Sequence, residues 1–241
     1  MKISIIIPCY NEEQRLNQDA FKAYSNDNKF IDFLFVNDGS SDSTANILKK
    51  LSASNNNFSF LDLDQNQGKA GAIREGVLSL QADNTYDFIG YFDADLATPL
   101  FEINNFLEQI DKRKDMLFIM GTRFARMGAQ INRKASRHYI GRIFATLVSL
   151  ILKIPVYDTQ CGAKLIHKSV VFKLFKEPLI TKWLFDVELL ARLEKLIGYK
   201  QAKKVILEVP LQQWDEIAGS KLKPTDFLQA PIELLKIWKK Y

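Results

Sequence analysis

The chain has 241 residues, of which 47% are hydrophobic and 25% charged, so its composition is that of a globular protein with one large domain or two small ones. Its two cysteines and two histidines exclude a disulfide scaffold and a structural zinc site made of two Cys/His pairs. Reduced cysteines suit the cytosol. The apolar start stops at Pro8 and no run of about 18 apolar residues follows, so we expect neither a signal peptide nor a transmembrane helix.

The formal net charge of +5 is distributed unevenly along the chain. No acidic residue occurs between Asp115 and Asp158. The same interval carries the basic residues Arg123, Arg126, Arg133, Lys134, Arg137, Arg142 and Lys153. A basic block of this kind favours an anionic partner such as a phosphate, a lipid head group or a nucleic acid, and the alternative is an ordinary solvated surface.

The first half of the chain alternates between short apolar runs and segments with helical spacing. The runs predict strands at residues 3–7, 31–36, 58–63, 88–92 and 116–120. The segments between them predict helices at residues 12–24, 41–51, 68–80 and 98–110. In the last of these, Thr98 is the expected N-cap and Pro99 the first helical residue. The alternation is typical of an α/β fold with a mostly parallel sheet flanked by helices.

The second half of the chain has a different pattern. It predicts strands at residues 163–167 and 205–209 and helices at residues 137–153, 181–197 and 224–241. The sequence has no internal repeat and no linker, so we expect one continuous domain over residues 1–241. Ligands of a parallel sheet bind beyond the carboxyl ends of its strands, and the polar residues that follow each strand are therefore the informative ones.

Two common nucleotide-binding motifs are absent from these strand ends. Residues 8–13 follow the first strand without any glycine, which argues against a dinucleotide-binding enzyme. Gly68 and Lys69 follow the third strand, but Ala70 stands where a P-loop needs serine or threonine. Gly68 and Gly71 can still allow a backbone to approach a ligand, or they can simply begin a helix.

Three carboxylates at strand ends remain as candidates for ligand binding. Asp38 follows the second strand next to other residues that can cap the helix, so it is available to accept a hydrogen bond from a nucleobase or a ribose. Asp93 and Asp95 follow the fourth strand two residues apart and point the same way. Paired carboxylates favour a divalent cation, and oxygen ligands suit Mg²⁺ or Mn²⁺. The alternative for Asp95 is a helix cap.

Four short motifs in this order resemble the GT-A glycosyltransferases of family 2. They are residues 8–13, 37–42, 66–71 and 93–95. The resemblance implies a Rossmann-like GT-A sheet and a nucleotide-sugar donor, with Asp93 and Asp95 holding the metal on its diphosphate. It assigns to the donor the residues Pro8, Tyr10, Glu12, Asp38, Gly68, Lys69, Asp93 and Ala94. The half of the chain at residues 1–122 would bind the donor, and residues 123–241 the acceptor.

Four further motifs look like the polyprenyl-phosphate branch of that family, with dolichyl-phosphate glucosyltransferases first and mannosyltransferases next. They are residues 121–123, 158–164, 183–188 and 214–221. The resemblance implies inverting transfer of a hexose, glucose by preference, from a UDP-sugar to a polyprenyl phosphate. Two alternatives stay open: a hydroxyl acceptor in cell-surface polysaccharide synthesis, and GDP-mannose as the donor. From this sequence we expect neither the N-terminal membrane anchor that many glucosyl members have nor the C-terminal transmembrane helices of some bacterial relatives.

The acceptor chemistry decides which side chains are needed. A lipid phosphate is already anionic, so it requires cations rather than a base, whereas a hydroxyl acceptor would need a carboxylate such as Asp186. We expect Asp95, Arg123 and Asp186 to act at the reacting centre. For the acceptor and its phosphate, the candidates are Arg137, Arg142, Gln160 and Lys221. Asp186 and Glu188 are two apart on a helix, so one at most enters the site, and both could belong to a buried network under Arg192 or Lys164.

Other protein classes fit less well. A nucleotidyltransferase would carry a glycine-rich basic loop after the first strand, and a nucleic-acid binder would interleave aromatic residues with its cations. We therefore expect no nucleic-acid partner. The basic and apolar segment 126–153 predicts peripheral association with the cytoplasmic face of a membrane. The alternative is a helix buried in a homo-oligomer.

Overall fold

The computed structural model of the protein describes residues 1–83, 85–132, 135–217 and 224–241, with the backbone alone at 135–138, 140 and 224–228. The chain forms two compact units. Unit 1 comprises Met1–Phe101 and Gly162–Pro178, and unit 2 comprises Glu102–Cys161 and Leu179–Tyr241. The units interleave in sequence, and the division into a donor half and an acceptor half at residue 122 stays a prediction. A single domain over 1–241 stays a prediction.

The elements follow one another along the chain in an alternating order. The first half contains β1 (Ile3–Cys9), α1 (Gln18–Asp27), β2 (Ile31–Asp38), α2 (Thr44–Ala53), β3 (Phe58–Leu63), α3 (Gly68–Ser79), β4 (Phe88–Phe92), α4 (Glu102–Lys112) and β5 (Phe118–Thr122). The second half contains β6 (Gln130–Asn132), α5 (Ala135–Leu152), β7 (Ala163–His167), α6 (Lys168–Phe175), α7 (Phe185–Ile197), α8 (Tyr199–Val205), β8 (Ile206–Pro210), β9 (Gln213–Asp215) and α9 (Pro224–Lys240).

Unit 1 is built on a mostly parallel sheet, as the alternation predicted. Its strands lie in the order β3-β2-β1-β4-β7, and β7 alone of these runs antiparallel to its neighbour. Phe21 of α1 packs edge-to-face on Phe33 and Phe35 of β2, which ties the helix to the sheet. A Cβ at Gly90 would lie 2.1 Å from the carbonyl oxygen of Lys164, so only glycine lets β4 and β7 pair here. The parallel strands end at one edge, which collects the residues that follow them.

Unit 2 is mainly helical and has two short parallel pairs, β5 with β8 and β6 with β9. Gly198 ends α7 with a φ of +83°, a conformation that favours glycine. Ala145, Val148 and Leu152 on α5 are buried, whereas the opposite face of that helix is exposed. No helix in the described ranges is long and apolar enough to cross a bilayer.

Several helix boundaries differ from the predicted ones because polar side chains bind the first amides. The helix expected from residue 12 begins at Gln18, since the side chain of Asn17 accepts from the amide of Ala20. The helix expected from Pro99 begins at Glu102. Asp95 accepts from the amide of Ala97 at 3.1 Å, which makes a separate turn before that helix.

Three further segments depart from the sequence prediction. The helix expected from residue 181 begins at Phe185, because carboxylates bind the amides of residues 180–184. The sequence also failed to predict the short helices α6 and α8. The side chain of His167 accepts from the amide of Ser169 at the start of α6, and histidine is not a usual capping residue.

Candidate active site

The loops after β1 and β2 are joined by hydrogen bonds in unit 1. The amide of Asn11 donates to Ser40 Oγ at 3.0 Å, and the amide of Ser41 donates to Asn11 Oδ1 at 2.9 Å. The amide of Glu12 donates to Thr44 Oγ1 at 2.8 Å. Asn11 has a φ of +49°, which asparagine tolerates better than most residues. Two of the predicted motifs therefore form one rigid pair of loops at the carboxyl edge of the sheet.

Asp38 connects this loop pair to the third motif. It is the last residue of β2 and is buried, and its Oδ1 accepts from the amide of Gln67 at 2.7 Å. The adjoining Gly39 has a φ of +64°, and a Cβ there would lie 2.6 Å from the amide nitrogen of Asn66. A larger residue than glycine would push the loop before α3 away. Asp38 thus has a structural bond, and its contact with a nucleoside stays a prediction.

Each carboxylate of the pair after β4 carries a cation of its own. Lys69 forms an ion pair with Asp93, and Arg15 Nη2 lies 3.3 Å from Asp95 Oδ2. Burial, and then the charge of Asp93, raise the pKa of Asp95, while the amide of Ala97 and the two cations oppose that rise. Leu96 follows in the left-handed region with a φ of +55°, a strained conformation for leucine.

Arg15 is a residue of this site that the sequence did not reveal. Its Nε lies 3.1 Å from Glu12 Oε2, so its guanidinium bridges Glu12 and Asp95. Glu12 is buried, and its carbonyl accepts from the amides of Arg15 and Leu16 in a tight turn. The only signal in the sequence is the spacing of three residues between Glu12 and Arg15.

The donor set at Asp93 and Asp95 fits a divalent cation. Both supply carboxylate oxygens, which Mg²⁺ and Mn²⁺ prefer. A Cβ at Gly162 would lie 1.9 Å from Asp93 Oδ2, so the glycine leaves the space in which that carboxylate sits. The described residues contain no cluster of three or more His, Cys, Asp or Glu side chains around one point. Mg²⁺ commonly binds through one or two carboxylates and completes its shell with water and substrate phosphates.

The structure places all the predicted donor residues in unit 1. Pro8 lies within β1, Tyr10 follows it with 36% of its surface exposed, and Gly68 begins α3 with a φ of +77°. Ala94, which lies between the two aspartates in the sequence, is buried. These residues lie at the ends of β1, β2 and β4 or at the start of α3. Their contact with a donor stays a prediction.

Arg123 of unit 2 is held in a bidentate ion pair. Its Nε and Nη2 donate to the two carboxylate oxygens of Asp158 at 2.6 and 2.7 Å, and its own amide donates to Asp158 Oδ2. The amide of Asp158 donates to Glu208 at 2.8 Å. The guanidinium carbon lies 5.2 Å from the ring centre of Trp214. Asp158 balances the charge of Arg123, and a role of this arginine at a substrate phosphate stays a prediction.

The two carboxylates at the start of α7 are both buried, and one of them is structural. Glu188 accepts from the amides of Ile180 and Thr181 and from Arg192 Nη2 at 2.7 Å. It also accepts from the hydroxyl of Tyr241 at 3.1 Å. The alternative of a buried network under Arg192 is confirmed for Glu188. The role of Asp186 stays a prediction.

The acceptor candidates are placed only in part. The guanidinium carbon of Arg142 lies 3.6 Å from the ring centre of Tyr157, a cation–π contact. Gln160 is half-buried, and its amide nitrogen is buried with no hydrogen-bond partner among the residues that the structure describes. The side chain of Arg137 and the whole of Lys221 lie outside the described residues.

A mostly parallel α/β sheet with paired aspartates at its carboxyl edge is the arrangement expected of a glycosyltransferase that uses a nucleotide-sugar. The profile of the family Glycosyl transferase family 2 matches residues 4–175. The chain belongs to glycosyl transferase family 2, as its motifs predicted.

Relatives that align with almost the whole of this chain point to one group of enzymes within the family. The chain is 34% identical to a dolichyl-phosphate beta-glucosyltransferase of Drosophila melanogaster, with all of this chain and 76% of that protein aligned. It is 31% identical to the enzyme of the same name in Dictyostelium discoideum, with 99% of this chain and 74% of that protein covered. The chain is therefore similar to dolichyl-phosphate glucosyltransferases over both of its units, as the sequence predicted.

Solved structures show the same fold. The chain matches glucosyl-3-phosphoglycerate synthase from Mycobacterium tuberculosis with a TM-score of 0.70 and 16% identity, over 99% of this chain and 80% of that one. The same synthase in complex with Mn²⁺, uridine diphosphate and glucosyl-3-phosphoglycerate matches with a TM-score of 0.68 and 15% identity, over 99% of this chain and 80% of that one. Identities this low show the fold alone, and the predicted GT-A class is confirmed.

Proposed function

We propose that the protein transfers glucose, with inversion, from a UDP-sugar to the phosphate of a polyprenyl lipid. The observation that carries this proposal is the similarity to dolichyl-phosphate beta-glucosyltransferases along the whole chain. The carboxyl edge of the unit 1 sheet supports it, because Glu12, Asp38, Asp93 and Asp95 all lie there. Acidic side chains at this edge suit a ribose, a nucleobase and a metal-bound diphosphate.

Asp93 and Asp95 would hold Mg²⁺ or Mn²⁺, which when bound supplies positive charge for the departing diphosphate. The side chains of unit 1 would bind the other parts of the donor. Asp38 and Glu12 accept hydrogen bonds from the nucleoside, and Tyr10 offers an exposed aromatic ring next to them. Lys69 carries a positive charge beside Asp93 that can move to a phosphate oxygen. These residues bind and orient the donor so that its anomeric carbon is open to attack from one face.

A phosphate acceptor brings its own negative charge, so the transfer needs no side-chain base. Asp186 then takes no proton, and it is either structural or only positions the sugar. If the acceptor were a sugar hydroxyl, as in polysaccharide synthesis, Asp186 would have to act as the base. GDP-mannose as the donor is the second alternative, and nucleotide specificity separates it from the proposal.

Unit 2 carries an apolar surface that fits a membrane. On α5, the exposed residues Tyr139, Ile143, Leu147 and Leu150 recur at i, i+4, i+8 and i+11 and so share one face. On α9, which packs against α5, the exposed apolar residues are Ile232, Leu235 and Trp238. We name these seven residues the apolar rows. Side chains of this size on a water-exposed face indicate a surface that is covered in use.

The charges around the apolar rows favour an anionic bilayer over a second copy of the chain. Lys236, Lys239 and Lys240 are exposed on α9. In the described side chains of the two helices the only acid is Glu233, which is buried against backbone amides. A symmetric dimer would place the same positive face against itself, which is unfavourable. We propose peripheral binding to the cytoplasmic face of a membrane, where each basic residue near the surface contributes about 1 kcal/mol.

The test is transfer of labelled glucose from UDP-glucose to undecaprenyl or dolichyl phosphate with Mn²⁺ present. We expect a product that extracts into organic solvent and is cleaved by mild acid, as a lipid phosphosugar is. GDP-mannose serves as the competing donor, and water-soluble glycans serve as competing acceptors. Label found only on water-soluble glycans would replace the proposal with the hydroxyl-acceptor alternative. If label were transferred only from GDP-mannose, GDP-mannose would take the place of the UDP-sugar as the proposed donor.

The membrane part is tested separately by flotation with vesicles of phosphatidylglycerol and phosphatidylcholine. We expect the protein to float with anionic vesicles at low salt and to be released as salt screens its lysines. Neutral vesicles are the control. Failure to bind anionic vesicles at low salt would remove the membrane proposal while leaving the glucosyl transfer to its own assay.

A further inference from the structure

Unit 1 holds a set of alternating charges that the proposed donor chemistry does not explain by itself. Arg15 and Asp95 are 80 residues apart in sequence, and yet Nη2 of the arginine lies 3.3 Å from Oδ2 of the aspartate. Lys69 contacts Asp93 in the same way. Each carboxylate of the metal pair is therefore already bound to a cation of this chain.

The position of Arg15 is fixed from the other side. Its Nε lies 3.1 Å from Oε2 of the buried Glu12, and the turn at Glu12 holds its backbone. The amide of Glu12 in turn donates to Thr44. The guanidinium is therefore anchored on the joined loops of β1 and β2 and reaches from them to the loop after β4. A planar guanidinium with separate donors suits such a bridge better than an ammonium does.

These ion pairs lower the affinity of the site for a metal ion when no nucleotide is bound. The ion would compete with Arg15 for the charge of Asp95 and with Lys69 for the charge of Asp93. It then lies close to two positive charges that remain in place. A nucleoside diphosphate changes that balance, because its phosphates bring negative charge that can pair with the displaced cations.

Resting on the proposed function, we infer that Arg15 and Lys69 are built-in counter-ions of Asp93 and Asp95 that keep the site closed to metal until the nucleotide binds. The cation and the nucleotide then bind cooperatively, each raising the affinity for the other. Arg15 is a positioning residue in this scheme. It holds Asp95 before the donor arrives and keeps its contact with Glu12 afterwards.

The experiment measures Mn²⁺ binding without turnover. Mn²⁺ alone is titrated into the protein, with and without UDP, and free Mn²⁺ is followed by its electron paramagnetic resonance signal. For the natural sequence we expect UDP to tighten Mn²⁺ binding on the order of tenfold or more. Arg15→Gln should bind Mn²⁺ alone several-fold to about tenfold more tightly, because a neighbouring positive charge and a competitor are gone. The effect of UDP should shrink by the same factor.

Two variants serve as controls. Arg15→Lys keeps the charge, so its Mn²⁺ affinity should stay close to that of the natural sequence. Arg74→Gln removes a half-buried arginine of the same unit that pairs with Glu75, and it should leave Mn²⁺ binding unchanged. If Arg15→Gln fails to fold because Glu12 loses its partner, Lys69→Gln provides the same test. The side chain of Asp93, the partner of Lys69, is 36% exposed, so the loss of Lys69 leaves no buried charge unbalanced.

The outcomes separate this inference from the proposed function. Tight binding of Mn²⁺ and UDP by the natural sequence, with no tightening in folded Arg15→Gln or Lys69→Gln, overturns the counter-ion role and keeps the metal site. No Mn²⁺ binding by the natural sequence even with UDP overturns the metal site, and the inference with it. Equal tightening in Arg74→Gln also overturns the inference, because the effect would then follow from net charge alone.

Discussion

The two units use their charged residues in different ways. In unit 1 the carboxylates lie at strand ends, and the cations Arg15 and Lys69 pair with them at a partly exposed edge. In unit 2 two ion pairs are largely buried, that of Arg123 with Asp158 and that of Arg192 with Glu188, and Asp158 and Glu188 also accept from backbone amides. Exchangeable ion pairs suit a site that must accept a ligand, whereas buried pairs hold a fold together. Substitutions at these ion pairs in unit 1 should therefore reduce activity more than stability. Substitutions at the buried pairs in unit 2 should reduce stability more than activity.

The strongest test of this contrast is Asp95→Asn in unit 1. We expect transfer activity to fall on the order of 10³-fold, because several kcal/mol of charge stabilisation depend on the metal. The melting temperature should stay the same or rise, since the substitution removes repulsion from Asp93. Activity and thermal unfolding are measured on the same preparation. Unchanged turnover would show that this carboxylate does not serve the metal.

Glu188→Gln is the matching change in unit 2. A glutamine amide would face the amides of Ile180 and Thr181 and would remove the carboxylate that balances the charge of Arg192, so we expect a loss of about 3 kcal/mol in the free energy of unfolding. Turnover per folded molecule should not change. Denaturant unfolding measures the loss, and Glu194→Gln on the same helix is the control. Burial raises the pKa of Glu194, so a neutral residue there should cost little.

Nucleotide binding should depend on unit 1. UDP at 100 times its dissociation constant should raise the free energy of unfolding by about 2.7 kcal/mol, and GDP should have a much smaller effect. Differential scanning fluorimetry with Mn²⁺ present makes the comparison. Asp38→Asn should weaken the UDP effect without removing the bond from Gln67, because an amide oxygen can still accept it. Stabilisation by GDP with none by UDP would contradict the choice of donor.

Membrane binding should depend on unit 2. Lys239→Gln combined with Lys240→Gln should weaken partition into anionic vesicles by about 2 kcal/mol, roughly 30-fold. Lys49→Gln combined with Lys50→Gln on α2 of unit 1 is the matched control and should have little effect. Vesicle sedimentation gives both partition constants. Equal losses in the two pairs would indicate attraction by net charge and remove α9 from the docking surface.

Asp186→Asn should have only a small effect on activity. With a phosphate acceptor no proton is removed from the nucleophile, so we expect a loss of less than about tenfold, whereas a general base would cost on the order of 10²–10⁴-fold. The pH dependence of transfer is measured alongside. A large loss together with a flattened pH profile would show that Asp186 takes a proton, and the hydroxyl-acceptor alternative would gain.

The candidate donor residues of unit 1 could be predicted from the sequence because each of them lies next to a strand or a helix start in the chain. A strand is followed by its polar residues, and parallel strands bring those residues to one edge. The strands of unit 1 were predicted to within two residues, and the pair at Asp93 and Asp95 follows directly from this pattern, whereas β6 and β9 of unit 2 were not predicted. Arg15 was not predictable in the same way. It lies in a segment with helical spacing, and only the folded chain brings it to Asp95.

The sequence indicated the buried pair of Glu188 with Arg192 as an alternative, but the pair of Arg123 with Asp158 escaped prediction for a related reason. Arg123 and Asp158 both stood in recognised motifs, but nothing in their spacing says that they pair with each other. The start of α7 was misplaced because its first amides bind carboxylates instead of continuing the helix. Ion pairs and caps across long sequence separations depend on tertiary structure, which hydrophobic periodicity does not encode.

Glu233 on α9 accepts from the amides of Lys182, Trp183 and Leu184, which directly precede α7. The carboxylate that binds the segment before α7 is therefore supplied from about 50 residues further along the chain. During synthesis these hydrogen bonds are missing until α9 has left the ribosome. The start of α7, which carries Asp186, is thus completed after unit 1 has been fully translated, and shortening the C-terminus before residue 233 would leave those three amides exposed.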